Sequence, residues 1–116
     1  MPKPLVIAGI RFSSQSAAVE HARRILHADA PGTAIVGADA EFAEELLGIR
    51  PDKILDLQGM NVVVYWRDWR PTEYGDRRWN MCFWAELEDG TRVDFSFMKA
   101  IKMLADAQKG SVVSVG

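Results

Sequence analysis

Four arginines are interleaved with four aromatic residues between positions 66 and 79. The arginines are Arg67, Arg70, Arg77 and Arg78, and the aromatic residues are Trp66, Trp69, Tyr74 and Trp79. Guanidinium groups pair with phosphates and flat rings stack on unpaired bases, so this mixture is typical of a surface for single-stranded RNA. Asp68, Glu73 and Asp76 leave the segment only one net positive charge. The alternative is that the tryptophans pack in the core while the arginines solvate a hairpin.

A second group of polar residues comprises Asp94, Ser96, Lys99 and Lys53. Asp94 and Ser96 are two positions apart in a predicted strand and share a face, and Lys99 follows in the first turn of a helix. A Ser-Lys pair can form a nucleophile, but no oxyanion loop or orienting motif accompanies this one. We favour the alternative in which Ser96 caps the helix, worth about 1 kcal/mol, and Asp94 pairs with Lys99 or Lys53. No catalytic residue is predicted, and an enzyme is the less favoured hypothesis.

The residues that usually bind metals are not arranged to do so. His21 and His27 are six apart on one predicted helix, which turns them about 240° from each other. Cys82 is the only cysteine and is predicted to be a small buried hydrophobe. Glu86 and Glu88 are expected to lie at the solvated end of a strand. A metal-dependent hydrolase that uses them as ligands is not favoured. The sequence also lacks a glycine-rich phosphate motif, so neither a metal nor a cofactor is predicted.

The segment from residue 79 to residue 109 organises the predicted fold. Apolar side chains alternate in 79–88, which indicates a half-buried strand. Asp89-Gly90 supplies a hairpin turn that tolerates positive φ, and 91–97 returns as a second strand. Ser96 then caps a helix over 97–109 whose apolar stripe is Met98, Ile101, Leu104 and Ala105.

Further elements come from the same kind of periodicity. Helices are predicted over 14–28 and 39–49, the second ending before Pro51, and a strand over 60–67 rich in β-branched and aromatic residues. We therefore predict an α+β fold, in which an antiparallel meander (60–67, 79–88, 91–97) packs with three helices (14–28, 39–49, 97–109). Three segments are less regular: Leu5–Ala8 is a strand or an apolar arm, Lys53–Gly59 is a connector, and 111–116 is a flexible tail or an edge strand.

Composition sets the class of protein. The 116 residues fit one domain, and 48% apolar with 26% charged residues is typical of a globular chain. The formal net charge of −2 excludes the overall basic excess of many nucleic-acid binders but not a local basic patch. The N-terminal apolar run is too short for a signal peptide or membrane span, and the single cysteine favours a reducing compartment. We expect a cytoplasmic protein with no membrane partner and no small-molecule substrate.

Residues 9–104 resemble the DCL (defective chloroplasts and leaves) domain. The matching pieces are Gly9-Ile10-Arg11-Phe12, Phe42 with Leu46-Leu47, Pro51 with Lys53, Gly59, Cys82-Phe83, Asp89-Gly90-Thr91, and Asp94-Phe95-Ser96-Phe97 with Lys99. Two family positions differ, because Arg50 stands where a histidine usually precedes the proline and Ala100 stands where a cysteine often follows the lysine.

The resemblance implies a setting around RNA. The family includes plant plastid proteins linked to ribosomal RNA maturation, domains at the C-terminal end of plant RNA polymerase IV and V subunits, and small stand-alone bacterial members. The favoured hypothesis is a non-enzymatic binding module that presents Lys53, Arg67, Arg70, Arg77, Arg78 and Lys99 to RNA, a ribonucleoprotein or a polymerase. The alternative is a protein-interaction domain that uses exposed Trp66, Trp69, Trp79 or Trp84 without touching nucleic acid. The sequence leaves the oligomeric state open.

Overall fold

The computed structural model describes residues 4–69 and 81–115. Its helices are α1 (Gln15–His27), α2 (Gly37–Ile49), α3 (Pro51–Asp56) and α4 (Phe97–Val115), and its strands are β1 (Leu5–Ile7), β2 (Ile10–Phe12), β3 (Ala34–Ile35), β4 (Val62–Trp69), β5 (Met81–Leu87) and β6 (Arg92–Phe95). Strands β1 and β2 form a small hairpin, and the other four form an antiparallel sheet in the order β3-β4-β5-β6. The predicted α+β class and the meander of its three longer strands are confirmed. Within the described residues, no helix is both long and apolar enough to cross a membrane.

The turn between β5 and β6 is tight and uses one left-handed residue. Gly90 has a φ of 87°, and its N–H donates to the carbonyl of Leu87 at 2.9 Å. The Thr91 N–H donates to a side-chain oxygen of Asp89 at 2.9 Å, and the Leu87 N–H donates to the carbonyl of Thr91 at 2.8 Å. This is a three-residue hairpin loop closed by a glycine bulge. The predicted reversal is confirmed, with the positive φ at Gly90 and not at Asp89.

The core lies between the helices and one face of the sheet. Phe83 and Phe95 stack across β5 and β6 with ring centroids 5.7 Å apart, and the edge of Phe97 meets Phe83 at 6.2 Å. The apolar faces of the first two helices are buried, namely Ala18, Ala22, Ile25 and Leu26 of α1 and Phe42, Leu46 and Leu47 of α2, with Ile49 partly buried at the end of α2. Three residues of the predicted α4 stripe, Ile101, Leu104 and Ala105, pack in the core. The fourth, Met98, is exposed, and the buried Phe97 and Ala100 complete the stripe.

Short elements depart most from the prediction. The first segment is a strand, since β1 and β2 pair through a turn in which Ala8 and Gly9 both have positive φ. A carboxylate oxygen of Glu45 accepts the Ala8 N–H at 2.5 Å and ties this hairpin to α2. Strand β3 was not predicted, because two residues have no periodicity to detect.

Two helices also differ from the prediction: α3 was not predicted, and α4 is longer than predicted. The predicted connector contains α3, which starts with Pro51 at its first turn, where a missing N–H costs nothing. Helix α4 continues to Val115 instead of ending near 109, so 111–115 is helical and not an edge strand. Gly110 does not stop the helix, because an interior glycine costs only about 1 kcal/mol.

A bulge in β4 changes which side its first residues face. Val62 pairs with Leu87 and Val64 pairs with Glu86, with the register shifting between them. Val62 therefore packs against the core, whereas Val64 lies on the opposite face. The two valines face opposite sides although they are two residues apart, because a bulge inserts a residue that breaks the alternation.

Candidate functional site

The sheet face opposite the core carries two tryptophans side by side. Trp66 of β4 pairs with Trp84 of β5, and their rings stack with centroids 5.7 Å apart and planes 17° from parallel. The pair forms because directly opposed residues of antiparallel strands bring their side chains together on one face. Both rings are partly exposed. The result is a flat aromatic surface at the centre of the sheet.

A guanidinium group covers one end of this surface. The central carbon of the Arg92 guanidinium lies 5.5 Å from the centre of the Trp66 ring, within cation–π range. Its Nε also lies 3.4 Å from a carboxylate oxygen of Glu86, and the arginine side chain is 65% exposed. Such an exposed ion pair adds little stability, but it helps to hold the guanidinium over the ring. We call Trp66, Trp84 and Arg92 the aromatic platform.

A shallow cleft of about 290 Å³ adjoins the platform. It is lined by Gly32, Ala34, Val64, Trp66, Asp68, Glu86 and Arg92. The lining therefore combines an aromatic ring, one cation and two carboxylates. A planar group can stack on the ring, and the carboxylates can accept hydrogen bonds from amino groups at its edge.

Arg67 lies on the other side of the sheet and is buried. Its side chain is 6% exposed and its Nη1 lies 3.9 Å from a carboxylate oxygen of Asp29. The same nitrogen donates to the Thr33 hydroxyl at 3.0 Å, while its Nε is buried without a hydrogen-bond partner. Neighbouring residues of a strand project to opposite faces, so Arg67 cannot share a surface with Trp66. Its predicted place on an open binding surface with that tryptophan is therefore wrong.

The second predicted cluster draws its residues from β6, the start of α4 and α3. Ser96 caps α4 as predicted, because its hydroxyl accepts the Lys99 N–H at 3.3 Å. Asp94 is half-buried on the platform face, opposite Trp84. Lys99 is exposed in the first turn of α4, and Lys53 is half-buried on α3.

The remaining predicted residues fall into two groups. Trp69 is half-buried at the end of β4, on the same side as Arg67 and opposite Trp66. The predicted binding residues Arg70, Arg77 and Arg78, with Tyr74 and Trp79, lie outside the described residues. Arg92 belongs to the site and was not predicted. The alternation of 91–97 places it on the same face as Asp94, and the three-residue loop sets it opposite Glu86.

The surroundings of the two histidines and of the cysteine are described by their packing and exposure. His21 packs between Phe12 and Phe42, with ring centroids 5.3 and 4.9 Å away, and burial together with the nearby Arg24 charge lowers its pKa. His27 is exposed. Cys82 is buried as predicted. Among the residues described, no three His, Cys, Asp or Glu side chains come together as metal ligands do.

Comparison with known proteins supports the fold. No family model and no curated protein sequence matches this chain. Among solved structures, the chain is similar to the solution NMR structure of an uncharacterized protein from Rhodospirillum rubrum, with a TM-score of 0.69 and 28% identity over 86% of this chain and 89% of that one. The similarity spans most of both chains, so the helix and sheet arrangement is shared and the function must be argued from the site.

Proposed function

We propose that this chain is a non-enzymatic binding module in RNA metabolism that presents the aromatic platform to unpaired nucleotides. The observation that carries the proposal is the stacked Trp66–Trp84 pair with Arg92 over it, on the sheet face opposite the core. Antiparallel sheets with aromatic side chains on an open face bind single-stranded RNA by stacking its bases. Each base stacked in this way contributes about 1–3 kcal/mol.

The charges near the platform favour contact with bases over contact with phosphates. Asp68 and Glu86 line the cleft beside Trp66 and repel the RNA backbone. The same carboxylates accept hydrogen bonds from base amino groups such as that of cytosine. Phosphate contacts then fall to the predicted cations, which are the exposed Lys99 and the sequence-predicted Arg70, Arg77 and Arg78.

The resemblance to the DCL domain supports the same setting. The family members named above act near ribosomal RNA or RNA polymerases, and the resemblance includes Asp94 and Ser96 at the edge of this face. A cytoplasmic module that recognises RNA, or a ribonucleoprotein or polymerase carrying RNA, agrees with the platform and with the resemblance.

The test is fluorescence anisotropy with labelled single-stranded RNA at low and moderate salt. We expect binding that weakens as salt rises, and a loss of roughly tenfold in Trp66→Leu, since one stacking surface is removed. Trp66→Phe keeps a ring and should bind within a fewfold of the unchanged chain. Arg23→Gln removes an exposed cation on α1, away from the platform, and serves as the charge control. No binding at low salt, or equal affinity for the Leu and Phe variants, would refute the proposal.

A second candidate function is a protein-interaction domain that uses the same tryptophans. The cleft beside the platform contains two carboxylates and one arginine. This negative charge balance suits a basic peptide better than RNA and favours the second candidate. Affinity capture after nuclease treatment separates the two hypotheses. Recovery of one protein that depends on Trp66 and survives nuclease favours this candidate, whereas loss of all partners with nuclease favours the RNA proposal.

A further inference from the structure

A second, more apolar cleft lies on the core side of the sheet, where α2, α3 and β4 meet. Its volume is about 470 Å³, within the range of about 300–1,000 Å³ typical of ligand sites. It is lined by Glu44, Leu47, Gly48, Ile54, Leu57, Met60, Asn61, Val62 and Tyr65. Most of these side chains are aliphatic. We call this site the α2/α3 cleft, and it shares no lining residue with the cleft beside the aromatic platform.

Helix α3 extends the apolar surface beyond the cleft. None of its residues is buried, although two are large and aliphatic. Ile54 is 43% exposed and Leu55 is 77% exposed. A six-residue helix that buries none of its own side chains presents an unpartnered apolar edge. This is typical of a docking surface rather than of an enclosed pocket for a small molecule.

The polar side chains that line the cleft are those of Glu44, Asn61 and Tyr65. Among the described lining residues, Glu44 is the only charged one. Tyr65 lies in the same cleft, and burial together with the Glu44 charge raises the pKa of its hydroxyl to about 12. The hydroxyl therefore stays protonated at neutral pH. The site combines aliphatic walls with a carboxylate that lacks a cation among the other lining residues.

The surrounding segment is strongly acidic. Residues 37–56 contain six carboxylates and two cations, a net charge of −4, whereas the whole chain carries only −2. The carboxylates are Asp39, Glu41, Glu44, Glu45, Asp52 and Asp56, and the cations are Arg50 and Lys53. Arg50 is buried and bonded to Asp52, with nitrogen–oxygen distances of 2.9 and 3.2 Å. Of these carboxylates, Glu44 lines the cleft, and the net negative charge of the segment that carries it favours a basic partner over an acidic one.

We infer that the α2/α3 cleft docks an amphipathic helix of a partner protein, with two or three aliphatic side chains in the cleft and lysine or arginine beside Glu44. Helix-in-groove recognition of this kind uses apolar anchors at spacings of three and four residues. The aliphatic walls accept the anchors, and Glu44, within a segment of net negative charge, selects basic flanks and speeds association. This inference concerns a different surface from the RNA proposal and does not depend on it.

The probe is a synthetic amphipathic peptide of about 18 residues, long enough to form a helix when bound, with leucines on one face and lysines on the other. A twin peptide carries glutamates in place of the lysines. Amide NMR spectra of the labelled chain should shift on addition of the basic peptide at Leu47, Gly48 and Leu57. The acidic twin should bind at least about tenfold more weakly, because its glutamates repel Glu44 and the net negative segment that carries it.

Gly48 allows a matched pair of variants that alters only the cleft. A Cβ at this position meets no atom within 4 Å and its backbone is helical, so both Gly48→Ala and Gly48→Leu should fold, with α2 gaining helix propensity. The leucine side chain occupies the cleft and should weaken peptide binding at least about tenfold, as blocking a buried anchor does, whereas alanine should leave it nearly unchanged.

The charge is tested separately. Glu44→Lys should weaken the basic peptide and strengthen the acidic twin, while Glu20→Lys on α1 makes the same change at an exposed position outside the cleft and should affect neither selectively. Equal affinities of the Gly48 pair, peptide shifts confined to other surfaces, or no binding at millimolar peptide would overturn the inference. The inference would also fail if analytical ultracentrifugation showed that the chain forms a dimer and that Gly48→Leu abolishes this dimer.

Discussion

Replacing Gly90 with valine is expected to lower the free energy of unfolding by about 2 kcal/mol. Gly90 has a φ of 87°, where a residue with a Cβ is strained by roughly 1–2 kcal/mol and a β-branched one by more. A Cβ built at Gly90 meets no atom within 4 Å. The cost therefore comes from the backbone conformation and not from a collision. Relief of that strain would disturb the bonds from Gly90 to Leu87 and from Leu87 to Thr91, which set the register of β5 and β6.

The measurement is thermal and urea unfolding followed by circular dichroism. A chain of this size loses roughly 4 °C in melting temperature per kcal/mol, so Gly90→Val should melt about 8 °C lower. Gly90→Asn is the control, since asparagine tolerates the left-handed region better than other residues with a Cβ, and it should lose less than half as much. A valine variant that melts with the unchanged chain, or an asparagine variant that loses as much as valine, would refute the reasoning.

Two further predictions concern single side chains. Ser96→Ala removes the hydroxyl that accepts the Lys99 N–H and should cost about 1 kcal/mol in urea unfolding, while Ser96→Asp should retain most of the stability; an alanine variant as stable as the unchanged chain would contradict the cap. Because the pKa of Tyr65 is raised to about 12 in the folded chain from about 10 in the unfolded one, its contribution is fully present below pH 10 and is lost as pH rises from 10 to 12. Tyr65→Phe should therefore show a shallower loss of stability across that window, and identical slopes for the two chains would contradict the assignment.

Long periodic segments were predictable from the sequence. The alternation in β5 and β6 and the apolar stripes of α1 and α2 identify the faces that become the core, because burial imposes a period of two on strands and 3.6 on helices. The turn at Gly90 was also predictable, from the Asp89-Gly90 pair. Short elements were not, since the two residues of β3 and the six of α3 acquire their conformation from neighbours rather than from their own pattern.

The candidate site was predicted only in part, for a physical reason. Composition places Trp66 and Arg67 in one basic-aromatic segment, but the pleat sends them to opposite sides of the sheet. The arginine that does cover the tryptophan is Arg92, from a strand more than twenty residues later. Residues that follow one another in a strand therefore do not share a surface, although they are close in sequence. The register between neighbouring strands identifies the residues that do.

The two proposed binding surfaces are separated by the thickness of the sheet, and this makes them independently testable. Tyr65 lines the α2/α3 cleft and its neighbour Trp66 lines the cleft beside the platform. Sites without shared contacts usually respond additively to mutation. Gly48→Leu should therefore leave RNA affinity unchanged, and Trp66→Leu should leave peptide affinity unchanged. If either variant reduced both affinities, the two ligands would be competing for one surface, and the assignment of separate roles to the two sides of the sheet would fail.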